Sequence, residues 1–211
     1  MKLYIYEHCP FCARVAYVAN ALKLNVEYQV VDYADAQTLI DLIGQKMVPV
    51  LEKADGSVMA ESMDIIAYFI EQAGIDAIVA PSEETLAFQR ETFPLIQRIG
   101  YPRWTKLNLK EFATEASVTA WQAKKETEEL NFVRLLENTE KIVADVNAQL
   151  VNAEALIQPN AGKSPLPLVD QAIYFSLLRG FFVEPTVTWP QELKLWLETN
   201  SNDLGASLLS L

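Results

Sequence analysis

Residues 3–12 read LYIYEHCPFC, an apolar and aromatic run that ends in two cysteines separated by two residues. The run Leu3–Tyr6 is typical of a short buried strand. The alanine-rich stretch from Phe11 to Leu22 contains no helix breaker and predicts a helix that begins beside the cysteines. Thiols in a Cys-x-x-Cys motif at a helix N-terminus are acidified, because free N–H groups and the helix dipole stabilise the thiolate. This stretch therefore predicts a strand–helix junction with a redox-active thiol pair.

The two cysteines have different predicted roles. Cys9 lies at the start of the predicted helix and is the expected nucleophile. Cys12 lies one turn further in, where it is placed to attack a mixed disulfide formed on Cys9. The alternatives are two inert core cysteines or half of a metal site. With two cysteines and one histidine the chain lacks the four ligands of a structural zinc site, so we expect no metal.

The sequence after this helix predicts the rest of a mixed α/β domain. Val26–Val31 alternates with the period of a strand, and Asp35 is placed to cap a short helix that ends at Gly44. An Asp55-Gly56 turn joins two strands in a hairpin, and a helix follows from about Ser62 to Gln72. The predicted order is β-α-β-α-β-β-α, a parallel βαβ unit followed by an antiparallel hairpin and a covering helix.

Residues 74–83 are irregular and are the predicted linker between a domain over residues 1–73 and an all-helical domain over residues 84–211. The second domain is expected to contain a helix over 83–109 interrupted at Pro94 and at 100–102, a longest helix over 115–150, an unusually apolar buried helix over 168–183, and a short final helix after Trp189-Pro190.

Composition limits the partners and the location. The formal net charge is −11 and the chain has no cluster of Lys and Arg, so it lacks the basic surface that nucleic acids and anionic membranes require. Its apolar stretches are too short to cross a bilayer, and Glu7 stands where a signal peptide would need an apolar core. We therefore expect a cytoplasmic protein.

Three further features are candidates for a role at the site. His8 precedes Cys9 and, when charged, would lower the pKa of that thiol; otherwise it is a strand-end residue that faces solvent. Val48-Pro49 opens a strand, where either a cis peptide bond or a trans proline on an edge strand fits. Glu61-Ser62 opens a helix. Ser62 can cap that helix, Glu61 can accept from a ligand ammonium, and the free N–H groups suit a carboxylate.

The ordered set Cys9-Pro10-Phe11-Cys12, Val48-Pro49 and Glu61-Ser62, followed by an all-helical half, resembles the thioredoxin-fold superfamily and specifically the glutaredoxins. The second half resembles the helical part of those glutaredoxins that have the two-domain architecture of glutathione S-transferases. The matching segments there are Pro102-Arg103, Asn131-Phe132, Leu177–Arg179 and Trp189-Pro190. The resemblance implies an α/β plus all-α fold, with an N-terminal thioredoxin-like domain and a C-terminal helical domain.

The resemblance also implies an activity, a glutathione-dependent thiol–disulfide oxidoreductase whose reductant is glutathione. Cys9 would attack glutathionylated or disulfide-containing proteins, and Cys12 would resolve the dithiol reaction. The glutathione-binding residues implied by the resemblance are Phe11 at the helix start, Val48 before a cis-Pro49 for the cysteinyl backbone, Glu61 and Ser62 for the γ-glutamyl end, and Lys46 for the glycyl carboxylate. One departure is Pro167, which stands where relatives carry the Ser or Thr of a capping box with Asp170.

Three other functions compete with this one. They are a glutathione S-transferase that conjugates electrophiles and has no use for Cys12, a non-catalytic thiol-binding protein, and a thioredoxin-like reductase that ignores glutathione. Arg103, beside the predicted break at residues 100–102, is a candidate for substrate recognition or interface stabilisation, or else a surface residue beside a kink. We expect a monomer by resemblance, while many transferases are dimers.

Overall fold

The computed structural model describes residues 1–210. Within residues 1–73, four strands and three helices follow one another in the predicted order β-α-β-α-β-β-α. The strands are β1 (Lys2–Ile5), β2 (Glu27–Val30), β3 (Val50–Glu52) and β4 (Val58–Ala60), and the helices are α1 (Pro10–Ala21), α2 (Gln37–Ile43) and α3 (Ser62–Ala73).

The four strands form one sheet in the order β2-β1-β3-β4. β1 pairs in parallel with β2 and antiparallel with β3, and β3 pairs antiparallel with β4. Tyr4 of β1 lies opposite Val50 of β3, and Val50 lies opposite Ala60 of β4. The C-terminal ends of β1 and β4 and the N-terminal end of β3 therefore meet at the same end of the sheet. This arrangement brings the segments that follow β1, precede β3 and follow β4 to one place.

Local side-chain chemistry explains how α2 begins and ends. The Asp35 carboxylate accepts hydrogen bonds from the backbone N–H of Thr38 at 3.1 Å and from its hydroxyl at 2.6 Å, which satisfies a donor of the first turn as predicted. The helix ends at Gly44, whose φ of 78° lies in the left-handed region that glycine adopts without a steric penalty. The chain is thereby turned toward β3.

The helical part packs around one apolar helix. It contains α4 (Glu83–Gly100), α5 (Glu115–Lys125), α6 (Phe132–Glu137), α7 (Thr139–Ile157), α8 (Leu168–Leu178) and α9 (Gln191–Leu204). Nine of the eleven residues of α8 are buried, which confirms the predicted central helix, and a 3₁₀ helix over Arg179–Val183 continues it. Within residues 1–210 each helix is too short or too polar to cross a bilayer.

The predicted interruption at Pro94 is wrong, because α4 runs through this residue to Gly100. Proline removes one helical hydrogen bond, and the packing of the α4 side chains Phe88 and Ile96 into the core offsets that loss. In place of the helix expected up to Leu109, two 3₁₀ turns follow, Trp104–Lys106 and Lys110–Phe112. The predicted interruption at residues 100–102 is confirmed, since helix α4 stops at Gly100. It ends where the indole of Trp104 folds back onto Gly100, so closely that a Cβ at this position would lie 2.2 Å from the ring.

The long helix predicted over residues 115–150 is also wrong, since α5, α6 and the first part of α7 occupy this range. Glu126 ends α5, and its carboxylate accepts from the backbone N–H of Phe132 at 3.0 Å. Asn131 caps α6 by accepting from the N–H of Arg134 at 2.9 Å. These polar side chains satisfy free helix ends, so the chain can stop and restart a helix while the apolar positions keep a helical spacing.

The two parts of the chain pack through α1 and α8. The Tyr17 ring of α1 lies 5.2 Å from the Phe175 ring of α8, measured between centroids, and its hydroxyl donates to Asn200 of α9 at 2.6 Å. As expected from Pro167, no side chain caps α8. Asp170 instead accepts from the backbone N–H of Ser82 at 2.9 Å and so holds the start of α4 against α8.

Candidate active site

Cys9 and Cys12 lie at the first turn of α1. Cys9 is the N-cap residue, with φ −68° and ψ 123°, and Pro10 is the first helical residue, where its fixed φ fits the helix and its missing N–H costs no bond. Cys12 follows one turn inside the helix. Both cysteines are free, and their residues are 9% and 1% exposed, respectively. Cys9 is therefore the thiol nearer to solvent.

Hydrogen bonds give the two thiols opposite acidities. The pKa of Cys9 is lowered mainly because the Cys12 thiol donates to its sulfur; the N–H groups of Cys12 and Phe11 and the charge of Arg179 act in the same direction, against the effect of burial. The pKa of Cys12 is raised well above its usual value, because the thiol is buried and lies next to the Cys9 sulfur. The pair thus favours a thiolate on Cys9 and a neutral thiol on Cys12.

A pocket of roughly 100 Å³ lies beside Cys9, between the two parts of the chain. Its walls are Cys9 and Phe11 on the α/β side and Phe93, Tyr101, Trp121 and Lys125 on the helical side. The sequence did not predict the helical wall, apart from the segment around Tyr101. Nothing local in α5 distinguishes a residue that faces a thiol on another domain from one that faces its own core.

Val48, Pro49 and Glu61 lie at the end of the sheet that leads to Cys9, as the strand register requires. The Val48–Pro49 peptide bond is cis. The expectation that Ser62 caps α3 is wrong, because Glu61 is the N-cap residue and no side chain makes a capping bond. Ser62 is already the first helical residue, so its own N–H belongs to the free N–H groups of the helix end.

Glu61 has a strained backbone. Its φ of 68° and ψ of 117° lie outside the regions that residues with a side chain favour, at a cost of about 1–3 kcal/mol. Strain of this kind persists where the surrounding structure holds it, often at a binding site. The side chain is exposed, so its carboxylate is available to a ligand.

Lys46 lies two residues before Val48, and its side chain contacts the loop that follows β2. Its ammonium donates to the carbonyl of Tyr33 and lies 4.2 Å from the centroid of the Tyr33 ring. An ammonium has three donors, so this contact leaves capacity for a carboxylate. Across residues 1–210 no group of three or more His, Cys, Asp and Glu side chains is arranged to hold a metal ion.

His8 does not face solvent, and it does not act as a cation beside Cys9. It is 7% exposed and is enclosed by aromatic rings, among them Phe112 and Trp121 at centroid distances of 5.2 Å and 4.7 Å. One oxygen of the fully buried Glu111 accepts from its backbone N–H at 2.9 Å and from its Nδ1 at 2.8 Å. The carboxylate can only accept, so Nδ1 carries the proton. Burial lowers the pKa of His8, which keeps the ring neutral.

We expect the stability of the fold to fall on acidification below 6.5, the ordinary pKa of histidine. The folded pKa of His8 is lower than this, so in the window below 6.5 the unfolded chain binds a proton that the folded chain does not. Because His8 is the only histidine, urea unfolding measured between about pH 6.5 and about 5.5, above the range where most carboxylates titrate, reports it. The slope should be absent in a folded His8→Gln variant, and an unchanged slope there would assign it to other groups.

Arg103 lies neither at the pocket beside Cys9 nor on the surface. It is 8% exposed and forms an ion pair with Glu184 at 2.9 Å, and it donates to the Ile99 carbonyl and to the Thr139 hydroxyl. All three partners belong to the helical part. Arg103 therefore holds segments of the helical part together. It contacts neither the pocket beside Cys9 nor the interface between the two parts.

Comparisons with known proteins find related sequences along the whole chain. A family model described as the N-terminal domain of glutathione S-transferase matches residues 3–81, and one described as the C-terminal domain of glutaredoxin 2 matches residues 84–210. Glutaredoxin 2 of Escherichia coli strain K12 is 30% identical over 212 residues, which cover 100% of this chain and 98% of that protein.

Solved structures agree with these matches. A crystal structure of glutaredoxin 2 from Salmonella typhimurium in complex with glutathione superposes with a TM-score of 0.89 at 27% identity, over 99% of this chain and 96% of the other. Gtt2 from Saccharomyces cerevisiae shares the fold, with a TM-score of 0.55 at 15% identity over 96% and 95% of the two chains.

The fold and the cysteine pair define a thiol–disulfide oxidoreductase with a thioredoxin-like domain and a helical domain. Within this class, the chain belongs to the glutaredoxin 2 family. Membership confirms the resemblance seen in the sequence, the predicted glutathione S-transferase-like architecture, and the predicted kind of enzyme, a glutathione-dependent oxidoreductase.

Proposed function

We propose that Cys9 is the nucleophile of this glutathione-dependent oxidoreductase and that Cys12 is its resolving thiol. The observation that carries the proposal is the opposite acidity of the two thiols at the start of α1. The thiolate, not the thiol, attacks a disulfide, so the more acidic and more exposed Cys9 attacks first. The pocket between the two parts of the chain is where its substrate binds.

With a glutathionylated protein, one cysteine is sufficient. The Cys9 thiolate attacks the glutathione sulfur, the protein sulfur leaves as a thiolate, and a disulfide between Cys9 and glutathione forms. A second glutathione thiolate then attacks this disulfide at its glutathione sulfur. The products are glutathione disulfide and the Cys9 thiolate, so the net reaction consumes one glutathione thiol and converts the mixed disulfide into a protein thiol and glutathione disulfide.

With a protein disulfide, both cysteines take part. Cys9 forms a mixed disulfide with one substrate sulfur, and Cys12 loses its proton and attacks Cys9 to release the substrate as a dithiol. Two glutathione molecules then reduce the Cys9–Cys12 disulfide. The raised pKa of Cys12 suits this order, since the resolving thiol stays protonated until Cys9 no longer carries a negative charge.

Glutathione is held, in this proposal, by the segments that meet at the end of the sheet. The backbone of Val48 before Pro49 pairs with the cysteinyl part, and Phe11 packs against the thiol end. Glu61 binds the ammonium of the γ-glutamyl end, while Ser62 and the N-terminal N–H groups of α3 bind its carboxylate. Lys46 binds the glycyl carboxylate. The strained and exposed Glu61 and the free helix end support this placement.

We also propose the substrates, the location, the oligomeric state and the domain bounds of the protein. Its substrates are glutathionylated and disulfide-containing proteins, and it works in the cytoplasm as a monomer. Residues 1–73 form the thioredoxin-like domain, residues 74–83 the linker and residues 84–211 the helical domain. The acidic net charge of −11 gives no support for nucleic acid or membrane partners.

Cys12→Ser should keep the reduction of a glutathionylated peptide and lose the reduction of a protein disulfide. Only the second reaction needs a resolving thiol. Both are measured with glutathione, glutathione reductase and NADPH, by following NADPH consumption. If Cys12→Ser lost both activities while remaining folded, the assignment of Cys12 as the resolving thiol would be wrong.

The same assays separate the competing functions. A conjugating transferase would consume glutathione with an electrophile and would show full activity in both single cysteine variants. A reductase that ignores glutathione would reduce a protein disulfide with dithiothreitol but not with glutathione. A binding protein would show neither activity while retaining glutathione in equilibrium dialysis.

A further inference from the structure

Three cationic side chains surround the cysteine pair. Arg14 belongs to α1 itself, where its guanidinium lies 4.7 Å from the centroid of the Phe11 ring and donates to Gln89 at 2.6 Å. The other two, Lys125 and Arg179, come from the helical domain. In a chain with a net charge of −11, this local excess of positive charge is unusual and coincides with the nucleophile.

Lys125 is the last residue of α5 and lines the pocket beside Cys9. Its ammonium lies 5.3 Å from the centroid of the Tyr101 ring and 5.6 Å from that of Trp121. Cations are attracted to aromatic faces, so the two rings hold the ammonium at the pocket wall. Burial lowers the pKa of Lys125, and the proximity of Cys9 acts in the opposite direction, toward a charged ammonium.

Arg179 follows α8 and is 3% exposed. Its guanidinium donates to the carbonyl of Ser207 at 2.7 Å and to the carbonyl of Glu7, two residues before Cys9. Its Nε is buried without a hydrogen-bond partner, and within residues 1–210 no carboxylate forms an ion pair with it. With Cys12 it lines a second pocket. A buried cation without an ion-paired carboxylate is costly, and a thiolate in its neighbourhood removes part of that cost.

The other titratable groups around Cys9 and Cys12 carry no positive charge. Tyr33 is neutral because burial raises its pKa to about 12, and burial also raises the pKa of Tyr6 and Tyr101. His8 is neutral. The carboxylate of Glu111 is held by His8, and that of Glu7 accepts from the N–H of Lys110 at 2.7 Å. Both carboxylates keep their negative charge and act on Arg179, but within residues 1–210 no carboxylate forms an ion pair with Arg179 or Lys125. The thiols are therefore left as further groups that these two cations can stabilise.

We infer that Lys125 and Arg179 are the counter-charges of the Cys9 thiolate, so that the helical domain completes the activation of a nucleophile carried by the other domain. The two residues act on Cys9 through charge and are positioning residues rather than groups that react. This inference rests on the proposed role of Cys9 as the nucleophile. It assigns to the second domain a part in the reaction chemistry, beyond forming a wall of the binding pocket.

The first test compares Lys125→Gln with Lys124→Gln. Lys124 is the neighbouring residue of α5 and is exposed, so it matches the charge change and the distance along the chain. The rate at which iodoacetamide alkylates Cys9 is measured against pH, with the modified cysteine identified by mass spectrometry. At acidic pH the Lys125→Gln rate should be about threefold lower than wild type, with the midpoint shifted to higher pH, whereas Lys124→Gln should match wild type.

The salt dependence of the alkylation midpoint separates a loss of charge from a loss of packing, because packing does not respond to ionic screening. Lys125 is partly exposed, so high salt should raise the alkylation midpoint of the wild type more than that of Lys125→Gln.

For Arg179, the pair Arg179→Lys and Arg179→Gln separates charge from hydrogen bonding. Arg179→Lys should keep an acidic Cys9, and Arg179→Gln, if folded by circular dichroism, should slow alkylation at acidic pH by about tenfold.

The outcomes distinguish this inference from the proposed function. Wild-type alkylation profiles in Lys125→Gln, and in Arg179→Gln where it folds, would overturn the inference while reductase activity remained. If Arg179→Gln does not fold, the Lys125→Gln profile and its salt dependence decide the matter. Failure of the proposed function would instead appear as full reductase activity in Cys9→Ser, whatever the profiles of the charge variants.

Discussion

Cys9→Ser should abolish the reduction of both glutathionylated peptides and protein disulfides, a loss of at least about a thousandfold relative to wild type. A serine hydroxyl is not ionised near neutral pH and cannot form a disulfide, so neither reaction can begin. Cys12 cannot replace it, because the Cys12 thiol is 1% exposed and its pKa is raised. The NADPH-coupled assay with glutathione and glutathione reductase measures both losses.

Cys12→Ser is the matched control for this result, because it makes the same atomic change one turn along the same helix. Circular dichroism and the urea midpoint should show that both variants keep the fold, since each exchange replaces one sulfur with oxygen. Substantial reductase activity in folded Cys9→Ser would refute the assignment of the nucleophile. Activity in Cys9→Ser that disappears in the double variant would move the role to Cys12.

Glu111→Ala should destabilise the protein by about 3 kcal/mol, the largest stability effect expected from a single side chain at the site. The Glu111 carboxylate is the acceptor for two donors of His8, which lies in the other domain among aromatic rings, and both residues are buried. Its removal leaves the His8 N–H and Nδ1–H without an acceptor where water has little access. Urea unfolding followed by tryptophan fluorescence measures the change.

Glu129→Ala is the control for the loss of a negative charge from the helical domain, because Glu129 is exposed in the loop after α5. It should change stability by less than about 0.5 kcal/mol. Glu111→Gln should cost less than Glu111→Ala, since both His8 hydrogen bonds reach a single oxygen of Glu111 and an amide oxygen can still accept them. Equal stabilities of Glu111→Ala and Glu129→Ala would show that the His8–Glu111 contact contributes nothing to the fold.

The first domain was predictable because its signals are local. The alternation over Val26–Val31, the Asp55-Gly56 turn and the glycine at position 44 each specify a conformation within a few residues, and the structure contains the corresponding strand, hairpin and helix end. The helical domain was predicted less well. Apolar spacing continues across the gaps between α5, α6 and α7, while the gaps themselves depend on side chains such as Glu126 and Asn131 that satisfy helix ends.

The residues of the candidate site also fall into two groups, those that local sequence predicts and those that it does not. Cys9 and Cys12 could be proposed as the reactive pair from a tetrapeptide at a strand–helix junction, because the helix end itself favours a thiolate. The surroundings of His8 could not, since its partner Glu111 lies 103 residues away in a short 3₁₀ helix without any distinguishing pattern. Lys125 and Arg179 were unpredictable for the same reason, because only the folded chain brings them to the thiols.

The His8–Glu111 contact also limits how such a protein can exchange domains. A chimera that joined this α/β domain to a foreign helical domain would bury the two His8 donors, and the Tyr33 N–H that donates to the Glu111 carbonyl at 2.9 Å, against whatever surface the new partner offered. A partner without acceptors at this position would lose several kcal/mol of stability. Recombination at the linker is therefore expected to succeed between chains that preserve this acidic residue, and the two domains should be inherited as a pair.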